Sequence, residues 1–240
     1  MIDVRRHRSL PSTMDAAAAL AHDGAAHGVV VVADEQTAGR GRRGTTWASP
    51  PGAGLYLSFI SRPSAFSSLL TLAAGVAVRD GITAATGLVP DLKWPNDVIV
   101  GRRKLAGILA EGLAIGTPAA AVIIGAGINV QPAAYPPEVA ARATSLEGEL
   151  GRAVDADILL NAVVAQLWDR LALLERSPGD ILRLWRAASP NAVGTRVEWD
   201  GRHGTTAGVD EDGALLVRTS TGIERIIAGE LRWHIALQSP

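Results

Sequence analysis

Three strand candidates follow one another in the stretch DLKWPNDVIVGRRKLAGILAEGLAIGTPAAAVIIGAGINV, residues 91–130. The candidates are residues 91–100, with a kink at Pro95, residues 105–112 and residues 120–130. Their β-branched and small apolar residues are typical of strands, and Gly101-Arg102-Arg103 makes a hairpin-like turn between the first two. The stretch therefore predicts that a sheet forms the centre of the fold.

Helices and further strands are predicted on both sides of that stretch. Ser12 and Asp15 have the spacing of a capping box before an alanine run, which predicts a helix over residues 13–22. The other candidates are strands at residues 29–33 and 55–61, a helix at 67–86 that stops at Gly87, a helix at 155–175, and a helix from Pro178 to Ala188. This order of elements predicts an α/β (α+β) fold with a mixed central sheet flanked by helices.

The sequence pattern changes after residue 190. Short β-like stretches follow at residues 196–199, 205–209, 214–219 and 222–228, and the turn pairs Asp200-Gly201 and Asp212-Gly213 separate some of them. This spacing predicts a small β-barrel. We therefore expect two domains, an α/β domain at residues 1–188 and a C-terminal β domain at residues 189–240.

The composition excludes several classes of protein. The chain has 240 residues, 48% hydrophobic content and a formal net charge of -1, so it offers no broad electrostatic surface for nucleic acid or an anionic membrane. It contains no cysteine, which excludes disulfides and thiolate metal sites. No signal core follows the N-terminal arginines, and the apolar runs are shorter than the roughly 20 residues of a membrane span. We expect a soluble, cytoplasmic protein.

A segment rich in glycine and arginine, GRGRRG, occupies residues 39–44. Its flexible backbone and guanidinium groups suit it to wrap an anion, although an exposed basic loop has the same composition. It is not a phosphate loop of the nucleotide-hydrolase type, because the lysine followed by Ser or Thr is missing. A single short copy in a neutral chain also argues against an RGG-like nucleic-acid contact. We expect residues 39–46 to form a mobile loop.

Three further segments place polar residues at strands. They are KWPND at residues 93–97, KLAGILAE at residues 104–111 and IGAGINV at residues 124–130. Each segment alone has another interpretation. Residues 93–97 also fit a turn with a buried tryptophan, residues 104–111 a strand that begins with a solvated lysine, and residues 124–130 tight core packing. Lys93 and Lys104 stand out, because every other basic residue of the chain is an arginine.

The order and spacing of these segments resemble the biotin protein ligase family, in its monofunctional type without a DNA-binding domain. The resemblance rests on Ser12-Thr13, residues 39–44 with Trp47, residues 93–97, residues 104–109 and residues 124–129. It covers residues 10–130 by motif and the rest of the chain by architecture. It implies a class II synthetase-like ligase domain followed by an SH3-like β-barrel.

The family's activity would be to condense biotin with ATP, giving biotinyl-5'-AMP and pyrophosphate, and to pass biotin to one lysine of a carrier domain. A carboxylate and a triphosphate must meet before they react, so concentrated cations are needed to offset their repulsion. By similarity, Lys104, Arg42 and Arg40 are the catalytic residues. Lys104 would stabilise charge in the transition state, and residues 40–42 would fold over the ligand and shield the mixed anhydride from water.

The resemblance also implies the binding residues. Ser12, Thr13 and Gln36 would contact the ureido group of biotin. The remaining biotin contacts are Gly39, Arg40, Gly41, Arg42, Trp47, Lys104, Gly107 and Gly127, and the ATP contacts are Arg42, Lys93, Asn96 and Asn129. Asp97 would hold a magnesium ion that enters with ATP, and no tightly bound metal is expected. Met14 departs from the family, because many relatives have Asn there, so a side-chain contact at this position is in doubt.

The implied partner is a biotin carboxyl carrier protein or domain of acetyl-CoA, acyl-CoA or pyruvate carboxylase. We expect no direct DNA binding, no membrane association, and a monomer or homodimer. Two other functions stay open at this point. One is a lipoate or octanoyl ligase, which shares the fold and also uses a lysine. The other is a ligand-sensing or nucleic-acid-binding protein that has lost catalysis.

Overall fold

A seven-stranded mixed sheet lies at the centre of the larger part of the chain. The computed structural model describes residues 3–227, 229 and 231–234. The strands are β1 (Val4–Leu10), β2 (Val30–Gln36), β3 (Gly54–Ser61), β4 (Asp91–Lys93), β5 (Asp97–Val100), β6 (Arg103–Leu113) and β7 (Ala121–Asn129). Their order is β1-β2-β3-β7-β6-β5-β4, in which β1 and β2 are parallel and all other pairs are antiparallel.

Within the described part of the chain, five α-helices accompany this sheet. They are α1 (Thr13–His22), α2 (Leu70–Thr86), α3 (Leu146–Leu150), α4 (Ala156–Arg176) and α5 (Pro178–Ala187). The predicted start of α1 is confirmed, because the Ser12 hydroxyl accepts a hydrogen bond from the Met14 amide at 3.2 Å. Gly87 ends α2 with φ of 80°, as the sequence predicts.

The alternation of side chains along the strands divides the core between the two faces of the sheet. Val30 and Val32 of β2 point into the larger cluster, which contains the buried faces of α2, α4 and α5. Val31 points to the opposite face and packs with Met14 and Ala17 of α1. Helix α1 contacts β2, β3 and β7 on that face. The loop after β2 covers the neighbouring area over β6, and the site described below lies there.

The described residues of the C-terminal part form a second, antiparallel sheet of five strands. These are β8 (Val193–Trp199), β9 (Arg202–Val209), β10 (Leu215–Thr219), β11 (Gly222–Ile226) and β12 (Arg232–His234), in the order β11-β10-β9-β8-β12. A C-terminal β module is therefore confirmed. Within the described residues, the edge strands β11 and β12 do not pair with each other, so closure into an SH3-like barrel stays a prediction. The domain boundary also stays a prediction. The predicted strand end at Ala228 lies outside the described residues.

The structure differs from the sequence predictions at several places, which include the unpredicted helix α3 and strand β12. The candidate at residues 91–100 is two strands, because the chain reverses at residues 94–96 and pairs β4 with β5. Strand β1 was not predicted, since its sequence VRRHRSL is mostly charged and exposed. Residues 39–46, expected to be a loop without regular structure, contain a bridge between Arg40 and Thr46 and a 3₁₀ turn at Arg42–Gly44. Among the described residues, no helix combines the length and apolar character needed to span a membrane.

Candidate active site

Two glycines form the floor of the site. Gly107 of β6 and Gly127 of β7 are register partners, and the indole of Trp47 lies against both of them. A Cβ atom on Gly127 would lie 2.4 Å from Trp47 Nε1, and one on Gly107 would lie 3.0 Å from Trp47 Cζ3. Any larger residue would therefore push the indole off the sheet. Trp47 Nε1 is buried and has no hydrogen-bond partner in the described part of the chain, so it is a donor that a ligand can satisfy.

Above this floor lies a cavity of about 530 Å³, a volume typical of small-molecule sites. It is lined by almost all of the predicted site residues, namely Ser12, Thr13, Gln36, Arg40, Gly41, Arg42, Trp47, Lys93, Asn96, Asp97, Lys104, Gly107, Gly127 and Asn129. Gly39, predicted to contact biotin, does not line the cavity; its carbonyl accepts from the Trp47 amide at 2.9 Å. Sequence segments that lie far apart in the chain therefore meet at this cavity.

The two lysines of the chain meet at one carboxylate. Lys104 Nζ lies 2.5 Å from Asp97 Oδ1, and Lys93 Nζ lies 3.5 Å from Asp97 Oδ2. Lys104 Nζ also lies 5.2 Å from the centroid of the Trp47 ring. Two ammonium groups around one carboxylate leave an excess of positive charge at this end of the cavity, which favours an anionic ligand.

The backbone of Lys104 is held by a segment that the sequence did not indicate. The Lys104 amide donates to the Arg142 carbonyl at 2.8 Å, and the Thr144 amide donates to the Lys104 carbonyl at 2.9 Å. Asn129, predicted to contact ATP, is buried and donates through Nδ2 to the Thr144 carbonyl at 2.9 Å. The contacts of Asn129 in this structure therefore support the segment beside Lys104.

We call residues 39–47 the flap, because they fold back on themselves over the cavity. The Gly41 amide donates to the Thr45 carbonyl at 2.7 Å, which closes a short hairpin together with the bridge between Arg40 and Thr46. Arg43 has φ of 55°, a left-handed conformation that costs free energy in residues with a side chain. The flap is thus a structured element held over the floor.

Three arginines of the flap line the cavity, and two of them, Arg40 and Arg42, bond to different partners. Arg42 Nη1 donates to Asn96 Oδ1 at 3.2 Å, inside the cavity, and Asn96 is fixed in turn because its Nδ2 donates to the Ile108 carbonyl at 2.8 Å. Burial lowers the pKa of the Arg42 guanidinium, and the Asp97 carboxylate opposes that shift. Arg40, predicted to be catalytic, instead places Nη2 2.9 Å from Asp15 Oδ1 and 3.0 Å from Glu111 Oε2.

Neutral hydrogen-bonding groups line the other end of the cavity. Gln36 Oε1 accepts from the Thr13 amide at 2.9 Å and from the Thr13 hydroxyl at 3.1 Å, and Gln36 Nε2 donates to the Ser49 hydroxyl at 2.8 Å. Met14 is buried against Gly125, where a Cβ would lie 2.6 Å from its Sδ atom. This end combines polar groups without charge and an apolar wall.

The sequence reasoning missed several residues that line the cavity. Tyr135 and Arg142 come from the irregular segment after β7, and Leu231 and Trp233 come from the C-terminal module. Lys93 Nζ lies 5.9 Å from the centroid of the Trp233 ring, so the module reaches the site. The segment around residues 132–143 is rich in Pro and Ala without a helical or strand period, so no sequence signal pointed to it.

The groups around Asp97 test the prediction that this residue holds a magnesium ion. Asp97 Oδ1 and Oδ2 both face ammonium groups, and no cluster of three or more acidic or histidine side chains suited to a metal ion occurs within residues 3–227, 229 and 231–234. Two nearby cations disfavour a resident divalent ion. The residues around Asp97 therefore do not fit a magnesium ion held by the protein.

The fold and the site together define a protein with a cation-lined, glycine-floored cavity on a mixed sheet, to which the C-terminal β module contributes lining residues. Comparison with known families is consistent with this. Residues 7–129 match the biotin/lipoate A/B protein ligase family, and residues 203–231 match the biotin protein ligase C-terminal domain.

Similar proteins cover most of the chain. The chain is 37% identical to the bifunctional ligase/repressor BirA of Bacillus subtilis, over 94% of this chain and 72% of that protein. It is 34% identical to the biotin--[acetyl-CoA-carboxylase] ligase of Mycobacterium tuberculosis, over 85% of this chain and 78% of that protein. The biotin protein ligase of Aquifex aeolicus in complex with biotin and ATP superposes with a TM-score of 0.84 at 29% identity, over 98% of this chain and 100% of that one. This chain belongs to the biotin/lipoate A/B protein ligase family.

Proposed function

We propose that this protein activates biotin with ATP to biotinyl-5'-AMP and pyrophosphate, and then transfers biotin to a specific lysine of a carboxyl carrier domain. The observation that carries the proposal is the convergence of Lys104, Lys93 and Arg42 on one cavity whose far end is neutral. The cationic end suits the carboxylate and phosphates that must react, and the neutral end suits a ureido group with two donors and one acceptor.

Several of the predicted residues have a role in this proposal that their position in the cavity supports. Lys104 stabilises the charge that develops as the biotin carboxylate attacks the α-phosphate of ATP and pyrophosphate leaves. Arg42 and Lys93 hold phosphate oxygens, and Asn96 faces the nucleotide beside Arg42. Thr13, Gln36 and Ser12 orient the ureido end. Ser12 already caps α1, and its hydroxyl can do both because the cap uses one lone pair.

The nucleotide is ATP in this proposal, and magnesium enters with it as the complex of its phosphates. When bound, such an ion neutralises phosphate charge. The choice of ATP is supported by the biotin and ATP bound in the Aquifex aeolicus structure and by the biotinylated ATP bound in the related structure from Helicobacter pylori.

The test is to incubate the protein with isotopically labelled biotin, MgATP and a biotin carboxyl carrier domain. We expect the carrier to gain the mass of one biotinyl group, only when ATP is present. Lipoate and octanoate, supplied in separate reactions at the same concentration, separate the proposal from a lipoate or octanoyl ligase. Transfer of lipoate or octanoate in place of biotin would contradict the proposal. Binding of biotin without ATP turnover would indicate a sensing protein instead.

The proposed acceptor is the carboxyl carrier domain of acetyl-CoA carboxylase, with acyl-CoA and pyruvate carboxylases as further acceptors. Relatives from Paracoccus denitrificans and Mycobacterium tuberculosis carry acetyl-CoA-carboxylase in their names, which supports this choice. The absence of direct DNA binding, the monomeric or homodimeric state and the cytoplasmic location stay predictions. A discrete specific complex with a biotin-operon promoter fragment in a gel shift at moderate salt would contradict the first of these.

A further inference from the structure

Arg40 joins three elements at the neutral end of the cavity. It lies in the flap, and its Nη2 atom contacts Asp15 in the first turn of α1 at 2.9 Å and Glu111 near the end of β6 at 3.0 Å. One guanidinium therefore ties the flap to both α1 and β6. None of the ligand-binding roles proposed above uses either carboxylate.

Arg42 and Arg40 both hold the flap, but a bound ligand would affect their contacts differently. Arg42 bonds to Asn96 inside the cavity, at the end where phosphates would lie, so a bound nucleotide competes for its guanidinium. Arg40 has its partners on the rim, where Asp15 is 60% and Glu111 is 43% exposed. The Arg40 contacts can therefore persist while a ligand occupies the cavity.

We propose that Asp15, Arg40 and Glu111 form a clasp that holds the flap closed over the biotin end, so that the biotinyl-adenylate stays bound until a carrier accepts it. The proposal rests on the proposed function and makes Asp15 and Glu111 positioning residues, which act on the ligand through the flap. Arg40 acts in the same way, through its carboxylate partners.

The exposure of the clasp to solvent suits a contact that must hold the flap closed and yet open again. Solvent-exposed ion pairs contribute little each and weaken as salt increases, so the clasp can open for substrate entry and product transfer. Two carboxylates on one guanidinium give a combined effect larger than either pair. The clasp therefore sets the lifetime of the closed flap, whereas the cations inside the cavity set the rate of chemistry.

The first test measures escape of the intermediate. The protein is loaded with biotin and MgATP, excess nucleotide is removed by rapid gel filtration, and free biotinyl-adenylate is followed over time without a carrier. We expect Glu111→Gln and Asp15→Asn each to raise the release rate about threefold, the size expected for loss of one exposed ion pair. The double variant should raise it about tenfold, because Arg40 then keeps neither carboxylate. Biotin-dependent pyrophosphate exchange at saturating substrates should stay at the wild-type rate in all three variants.

Asp180→Asn is the matched control. Asp180 is 42% exposed and pairs with Arg183 at 2.9 Å on α5, away from the cavity, so this variant loses a similar pair and should release adenylate at the wild-type rate. Unchanged release in the double variant would overturn the proposal. Pyrophosphate exchange that falls in step with faster release would also overturn it, because the carboxylates would then act on the chemistry. If the wild-type protein forms no adenylate, the proposed function itself fails.

A second test needs no activity. Hydrogen exchange of the flap amides, followed by mass spectrometry in the ligand-free protein, reports how often the hairpin opens. We expect the Gly41 and Trp47 amides, which are bonded within the flap, to exchange about tenfold faster in the double variant than in the wild type. Asp180→Asn should leave flap exchange unchanged. Equal flap protection in the wild type and the double variant would refute the clasp.

Discussion

At Gly127 the absence of a side chain lets the Trp47 indole lie against the sheet, with a Cβ position only 2.4 Å from Trp47 Nε1. The conformation of the glycine is not the reason, because Gly127 lies in β7 with no positive φ. The requirement is space. Trp47 forms the wall of the cavity only if residue 127 has no Cβ.

We expect Gly127→Ala to raise the KM for biotin about tenfold, because displacing the indole costs on the order of 1–3 kcal/mol and each 1.4 kcal/mol is a factor of ten. The measurement is initial-rate kinetics of carrier biotinylation against biotin concentration. Gly179→Ala is the control, since a Cβ on Gly179 meets no atom within 4 Å, so its KM should equal that of the wild type. A wild-type KM in Gly127→Ala would show that the floor does not bound the biotin site.

The individual residues that the sequence indicated are those in local motifs. Lys104, Arg42 and Trp47 line the cavity as expected, because each lies in a short segment whose strand or turn fixes where the side chain points. Arg142 and Trp233 had no such local signal. They line the cavity because the segment after β7 folds back onto Lys104 and because β12 pairs with β8, and both contacts depend on distant parts of the chain.

Elements with a clear apolar period were predicted, and elements without one were not. The predicted helix at residues 155–175 is α4, and Asp155 caps it by accepting from the amides of residues 157 and 158 at 2.9 Å each. Strand β1 was missed because it is an edge strand with charged residues along its length, a composition that discourages pairing with other chains. The strand forms because its backbone pairs with β2, although its side chains have little strand-type apolar pattern.

His27 links the segment after α1 to β3 and α4. Its ring centroid lies 5.5 Å from that of Phe59 and 4.5 Å from that of Trp168, and its Nδ1 accepts from the Arg62 amide at 3.1 Å. Burial lowers the pKa of His27 below its ordinary value of 6.5, and the Glu175 carboxylate partly opposes this. The neutral ring is therefore the form that packs between the elements.

A lowered pKa makes the folded state bind fewer protons than the unfolded state once the pH falls below about 6.5. Stability from His27 is therefore full above that pH and is lost as the pH falls toward the folded pKa. We expect the Tm of the wild type to drop more steeply between about pH 7.5 and about pH 5.5 than that of His27→Phe, which keeps an aromatic ring. Parallel pH profiles in differential scanning calorimetry would contradict this account of His27.

At the scale of the whole molecule, the C-terminal module and the cavity are joined through the KWPND segment. Trp94 is 2% exposed, and its Nε1 donates at 2.9 Å to the carbonyl of Gly213, which lies in the turn between β9 and β10. Its neighbours in the chain, Lys93 and Asn96, line the cavity. The module therefore helps to place the residues assigned to the nucleotide. The sequence predicted both units but could not predict this contact, which joins residues far apart in the chain.

We expect Trp94→Phe to lower the free energy of unfolding by about 1–3 kcal/mol, because the Gly213 carbonyl loses its partner, and to raise the KM for ATP. The measurements are the urea midpoint and initial rates against MgATP. Trp168→Phe serves as the control, because Trp168 packs on Gly28 outside the cavity, and it should change stability without changing that KM. A destabilised Trp94→Phe with the wild-type KM for ATP would show that the module does not position the site.

The central claim is that Lys104, Lys93 and Arg42 converge on one cavity where biotin and ATP react. The most direct test is biotin-dependent exchange of labelled pyrophosphate into ATP, measured in the wild type and in Lys104→Ala, with far-ultraviolet circular dichroism to confirm folding. The account predicts exchange in the wild type and a loss on the order of 100-fold or more in the folded variant, the size expected for one electrostatic donor. Wild-type exchange in Lys104→Ala would contradict it.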